Sequence, residues 1–197
     1  MNYRGNKVDR DLPMKNILVS IGGASGSIYG IRLLEFLQDR NIHTFLIVSE
    51  GAKKIIDHET SHSYSSLKKL VDTVYENDNL FAGPASGSFS LDAMVIVPCS
   101  MKTLSAVANG YSDTLTARAA SCMLKEHKTL IIVPRETPMD LPSLQNMVKA
   151  YQAGAFILPA MPGFYYIPSS INDLVDFIVG KILDQLHIPH TLYQKWK

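Results

Sequence analysis

The 197-residue sequence is short of the residues that mark several large classes of protein, and each shortage excludes something. It holds two cysteines, Cys99 and Cys122. These are too few for a disulfide scaffold or a cysteine-built zinc site, so a cytoplasmic protein with free thiols is expected. No apolar run exceeds about five residues, far below the ~20 needed to cross a bilayer, so no membrane association is expected. The opening MNYRGNKVDRDLP is polar and is read as neither a signal peptide nor an anchor. Neither sign of charge dominates. The 19 Lys and Arg interleave with 18 Asp and Glu without a basic stripe, which argues against nucleic acid as a partner. There is no Walker A loop, because no Gly-Lys-Ser/Thr follows the glycine turn at 22–26. There is no G-x-S-x-G elbow, and Cys99 has no evident histidine partner, so acyl transfer lacks support. His58 and His62 stand four apart with no third ligand at a standard spacing, so no metal is expected.

What is present is alternation. Short, continuously apolar runs predict strands at 16–21, 43–48, 93–98, 129–133 and 155–158, of the kind covered on both faces. Helical periodicity falls between them at 26–39, 51–58, 65–72, 102–125 and 141–153. A last helix keeps its apolar stripe from Ile171 to Leu186, opened by a Ser170/Asp173 capping box. The pattern predicts one doubly wound α/β domain with a parallel sheet over 15–197, preceded by a flexible extension at 1–14.

Ligands of such sheets bind beyond the carboxyl ends of the strands, where strand order reverses. The segments that follow the strands are therefore the informative ones. Strand one runs into Gly22-Gly-Ala-Ser-Gly-Ser27, a small-residue turn opening a helix whose first amides would face an anion. This reads as the edge of a nucleotide or flavin phosphate site and matches the dinucleotide pattern G-x-G-x-x-G only loosely. Ser49-Glu50-Gly51 follows strand two, and Cys99-Ser100-Met101-Lys102-Thr103 follows strand three. After strand four, Pro134 and Pro138 frame Arg135 and Glu136, a cation for phosphate or a flavin edge and an acid–base group. Ala85-Ser-Gly-Ser88 is either a phosphate cradle or a plain turn. Arg118 and Lys125 share one helix face, and Glu59 cannot be assigned from its neighbours alone.

Together these residues resemble the UbiX family of flavin prenyltransferases. The segments GGASGSIYGIRLLEFL, GPASGS, VPCSMKTLSAVANG, RAASCMLKE, VPRETP, LPAMPGFYYIP and LVDFIVGKIL occur in the family's order and spacing, covering 15–197. The resemblance implies a three-layer, flavodoxin-like or Rossmann-like domain. It implies an enzyme that moves a dimethylallyl group from dimethylallyl phosphate or diphosphate to reduced FMN, without a metal. It also implies a homododecamer with sites at subunit interfaces, whose prenylated FMN serves UbiD-type decarboxylases. Gly23, Ala24, Ser25, Ser49, Ser100, Met101, Lys102, Thr103 and Arg135 match FMN-contacting positions of the family. Tyr165 and Lys181 match contacts to the dimethylallyl phosphate, and Arg118, Lys125 and Glu136 match charged positions around it. Ser25, Glu59 and Glu136 match positions tied to proton transfer, and Trp196 matches a tryptophan near the interface. Leu80 stands where some members carry tryptophan, and Lys181 where some carry arginine, losing a bidentate fork. Two other readings are an FMN-dependent cysteine decarboxylase and a non-catalytic flavin-carrying subunit of a decarboxylase. The former typically has a histidine early in the domain, whereas His43 here begins a strand.

Overall fold

A computed structural model of the chain describes residues 15–38 and 40–196. The 1–14 segment expected to form a flexible extension lies outside the described residues. Six strands form one wholly parallel sheet: β1 (Lys15–Ile21), β2 (Ile42–Val48), β3 (Thr73–Glu76), β4 (Ala93–Cys99), β5 (Thr129–Pro134) and β6 (Phe156–Ile157). Their order is β3-β2-β1-β4-β5-β6. The order reverses between β1 and β4, which places the crevice of a doubly wound sheet at the carboxyl ends of those two strands.

Alternation along the strands builds two cores. Ile17, Val19 and Ile21 of β1 face one way and join α1 (Ser27–Leu37), α2 (Glu50–Glu59), α3 (Tyr64–Leu67) and α7 (Ile171–Gln185). Leu18 of β1 faces the other way, towards α4 (Met101–Ala108), α5 (Leu115–Lys125) and α6 (Leu141–Gln152). The β4–β5 register shifts between Ile96 and Cys99. Val97 therefore packs on the α1/α7 side, while Cys99 joins the α4/α5 side with Met94 and Ile96. That irregularity re-aims the segment leaving β4. Burial pushes the Cys99 thiol up to about 12, which keeps it neutral and unsuited to nucleophilic work.

Two predicted elements change and one strand is added. The helix expected at 102–125 is two helices, parted by a turn at Gly110, whose φ of 70° ends α4. The helix expected over 65–72 shrinks to α3 plus one 3₁₀ turn, Lys68–Leu70. The chain then pairs as β3, an edge strand absent from the expectation. The Ser170/Asp173 capping box forms as predicted, with Asp173 N donating to Ser170 Oγ and Ser170 N to Asp173 Oδ2.

Two glycines set how closely α1 and its turn approach β4. A Cβ at Gly30 would stand 2.5 Å from the Val97 carbonyl oxygen, and one at Gly22 would stand 2.7 Å from that of Pro98. Both obstacles are backbone, which cannot swing aside. Gly30→Ala should therefore lower stability by about 1–3 kcal/mol. Gly51→Ala, where a Cβ meets only ordinary contacts at 3.7 Å, should stay within about 1 kcal/mol of wild type. Denaturant midpoints of the two variants check this pair.

Candidate functional site

A cleft of about 580 Å³ opens at the switch point, within the ~300–1,000 Å³ span of ordinary ligand sites. Gly22 and Gly23 from the β1 end, Ser49, Glu50 and Gly51 from the β2 end, and Ser100, Lys102 and Thr103 from the β4 end line it. Five of the expected flavin-site residues, Gly23, Ser49, Ser100, Lys102 and Thr103, thus share one cavity.

Its chemistry follows from helix capping. Ser49 Oγ accepts from Ala52 N at the start of α2, and Ser100 Oγ accepts from Thr103 N at the start of α4. Ser100 and Thr103 hydroxyls lie 3.1 Å apart. Each cap leaves the very first amides of its helix to other partners, so two helix N-termini bring donors and positive dipole ends to the cleft. Met101, beside them at the start of α4, packs its side chain against the α4/α5 core.

The glycine turn works differently from the expectation. Gly26, the residue before α1, has φ 96° and no side chain to cap the helix. Glu59, at the end of α2, does so from 33 residues away: its Oε2 accepts from Gly26 N at 2.8 Å and from Ser27 N and Oγ at 3.4 Å. The Gly26 and Ser27 amides that open α1 are therefore taken by a carboxylate, whereas α2 and α4 present serine-capped starts to the cleft. Burial pushes the Glu59 carboxyl up, but hydrogen bonds from Ser25, Gly26 and Ser27 outweigh it and hold it below the ordinary glutamate value. Glu59 is thus a carboxylate near neutral pH, held on the glycine turn by Gly26 and Ser27. Arg135 Nε donates to the Ser25 carbonyl at 3.0 Å, which ties the β5 end to the same turn. Glu136 makes no salt bridge with its neighbour; it is exposed, and its Oε1 accepts from Thr137 N. Ala24 is buried at the turn, between exposed Gly23 and Ser25.

The remaining expected residues form two further groups. On α5, Arg118 Nε donates to the Ala85 carbonyl at 2.9 Å, while Lys125 Nζ lies 3.5 Å from Glu126. The Ala85–Ser88 loop therefore sits on the cationic face of α5. On the opposite side of the sheet, Tyr165 meets Phe177 and Trp196 edge-on, with centroids 5.8 and 5.3 Å apart. Lys181 lies over the rings of Tyr193 and Phe177. Among the described residues no hydrogen bond, ion pair or ring contact joins the α5 group to the α7 group, and the sheet stands between them.

Several cleft residues escape the sequence reading. Ser20 Oγ and Thr116 Oγ1 lie 2.8 Å apart, Thr116 Oγ1 donates to Asn77 Oδ1 at 2.7 Å, and all three line the floor. Asp78, Asp113 and Thr114 stand beside them. The available signals were Asn77-Asp-Asn79, a turn after an unread strand, and Thr114, the cap of an unread helix start.

A family model described as Flavoprotein matches residues 6–183. A flavin prenyltransferase UbiX of Methanocaldococcus jannaschii is 49% identical over 180 residues, 91% of this chain and 97% of that protein. Among solved structures, AnUbiX in complex with FMN and dimethylallyl pyrophosphate has a TM-score of 0.91 at 40% identity, covering 93% of this chain and 98% of that one. A dodecameric FMN-dependent UbiX-like decarboxylase from Escherichia coli O157:H7 has a TM-score of 0.90 at 37% identity, covering 92% and 99%. With the cleft at the switch point and likeness along more than nine-tenths of its length, the chain belongs to the flavoproteins, in the family of the UbiX flavin prenyltransferases.

Proposed function

We propose that this protein is a flavin prenyltransferase that moves the dimethylallyl group of dimethylallyl phosphate or diphosphate to reduced FMN, making prenylated FMN for a UbiD-type decarboxylase. The observation that carries this reading is the cleft at the β1/β4 switch point, flanked by Glu59 and Arg135 on the glycine turn. Its residues suit FMN. Hydroxyls and two helix N-termini suit a phosphate end, the Ser20–Thr116–Asn77 floor suits a polyol, and glycines at 22, 23 and 51 leave room for a flat ring. Bound reduced FMN supplies the nucleophile that accepts the dimethylallyl carbon.

This chain's residues supply the rest. The carbon–oxygen bond of the donor breaks with its electron pair leaving on phosphate. Arg118, Lys125 and Lys181 are the cations placed to neutralise that group. Tyr165, with Trp196 and Phe177 around it, encloses the allyl group against water. Glu136 or the Ser25–Glu59 pair takes the proton released when the new ring closes.

Arg118 and Lys125 belong to one face of the sheet, Lys181 and Tyr165 to the other. A phosphate held by both groups therefore needs a second copy of the chain, which supports a homo-oligomer, and the structural neighbour described as dodecameric fits it. Ile171 and Trp196, 77% and 76% exposed, are apolar surface that such a contact would cover. A cytoplasmic location accords with two free cysteines, both buried. No described helix is long and apolar enough to cross a membrane. His43, with Nε2 3.3 Å from Thr73 Oγ1, sits at the amino end of β2, away from the cleft, which leaves the cysteine-decarboxylase reading without its histidine.

Incubating the FMN-loaded, reduced protein with dimethylallyl phosphate should yield a flavin heavier by one prenyl unit in mass spectrometry, and an unchanged flavin mass would refute the reading. Glu136→Gln should retain FMN and slow product formation by roughly 10²–10⁴-fold. Wild-type turnover in that variant would remove Glu136 from the chemistry. Lys125→Ala should weaken the allylic phosphate by about 10- to 150-fold while sparing FMN, as ligand titrations of each can show.

A further inference from the structure

Resting on the functional reading above, we infer that Tyr193 is the positioning residue for Lys181, and through it for the allylic phosphate. The segment after α7 lies directly on that helix at Gly180, where an added Cβ would stand 2.5 Å from the Tyr193 ring and 2.8 Å from His190. Asp184 pins the segment there. Tyr193 Oη donates to Asp184 Oδ2 at 2.5 Å, His190 Nε2 lies 3.2 Å from Oδ1, and Lys195 Nζ lies 3.4 Å from the same oxygen.

The direction of the chain is fixed by what each group can do. Burial pushes the Asp184 carboxyl up, but the hydrogen bonds from Tyr193, His190 and Lys195 outweigh it and keep it an acceptor. The phenol hydrogen therefore points at the carboxylate, and that bond fixes the ring over which the Lys181 ammonium lies. Lys181 Nζ sits 4.8 Å from the Tyr193 ring centroid and 5.5 Å from that of Phe177, within cation–π reach of both. Tyr193 is also the largest influence holding the Lys181 pKa above the ordinary lysine value. An ammonium on a four-carbon stem lacks the planar fork that orients an arginine. Tyr193 supplies that orientation from outside the side chain. The same segment ends at Trp196, which with Tyr165 lines a pocket of about 230 Å³. Holding Tyr193 thus holds the cation and the aromatic wall together.

Steady-state kinetics with dimethylallyl phosphate on the full, FMN-loaded chain test this. Tyr193→Phe keeps the ring and removes the hydrogen bond to Asp184 that fixes it over α7. Its KM for the phosphate is expected to rise about 5- to 50-fold, with kcat within about 2-fold and FMN affinity unchanged. Gly180→Ala, whose added Cβ presses on the Tyr193 and His190 rings and dislodges the segment while leaving its residues unchanged, should reproduce the KM rise. Adding Tyr193→Phe to Lys181→Ala should cost nothing beyond Lys181→Ala alone, since the two act as one unit. A wild-type KM in Tyr193→Phe or in Gly180→Ala, or additive effects in the double variant, overturns the inference and leaves the prenyltransferase reading standing. A wild-type enzyme that forms no prenylated flavin overturns both.

Discussion

The close approach of backbone to backbone between the β1–α1 turn and the end of β4 sets everything else in this molecule. Gly22 N donates to the Pro98 carbonyl at 2.9 Å, and Gly30 lets α1 rest on the Val97 carbonyl. With those contacts made, the turn is held flat against the sheet edge, and Ser25 and Gly26 face outward where Glu59 and Arg135 reach them. A methyl group at either glycine would lift the turn away from β4 and open the floor of the cleft. The site is thus a product of absent side chains as much as of present ones.

Charge is arranged around that frame in an order the fold explains. The one carboxylate at the turn is spent on capping α1 and stays ionised, because donors outweigh its burial. The starts of α2 and α4 carry serine caps at the cleft, where each helix dipole favours an anion. The larger cations stand off on opposite faces of the sheet, Arg118 braced by the Ala85 carbonyl and Lys181 by aromatic rings. A single chain therefore builds the cleft at the switch point and holds its two cationic groups apart.

Much of this was legible in the sequence because the signals were local. β1 and its glycine turn announce themselves within eleven residues, and Ser170 with Asp173 caps α7 as read. β3 was not legible: Thr73–Glu76 is a four-residue edge strand, none of it fully buried, with no continuous apolar run to mark it. The α4–α5 boundary was hidden because apolar spacing continues through 102–125, while the turn at Gly110 sits on the exposed side. Glu59 resisted assignment for a different reason. Its partner lies on another helix, and no window of sequence contains both. The Asp184–His190–Tyr193 cluster lies within ten residues, but its meaning depends on a bend that brings the chain back onto α7.

That bend has a consequence for how the molecule comes into being. The strands and helices that line the cleft are complete once α5 has been made, whereas Tyr193 and Trp196 lie beyond α7 in the chain. Domains form from the amino end during synthesis. A nascent chain can therefore possess the cleft before Tyr193 has been made and laid against Lys181.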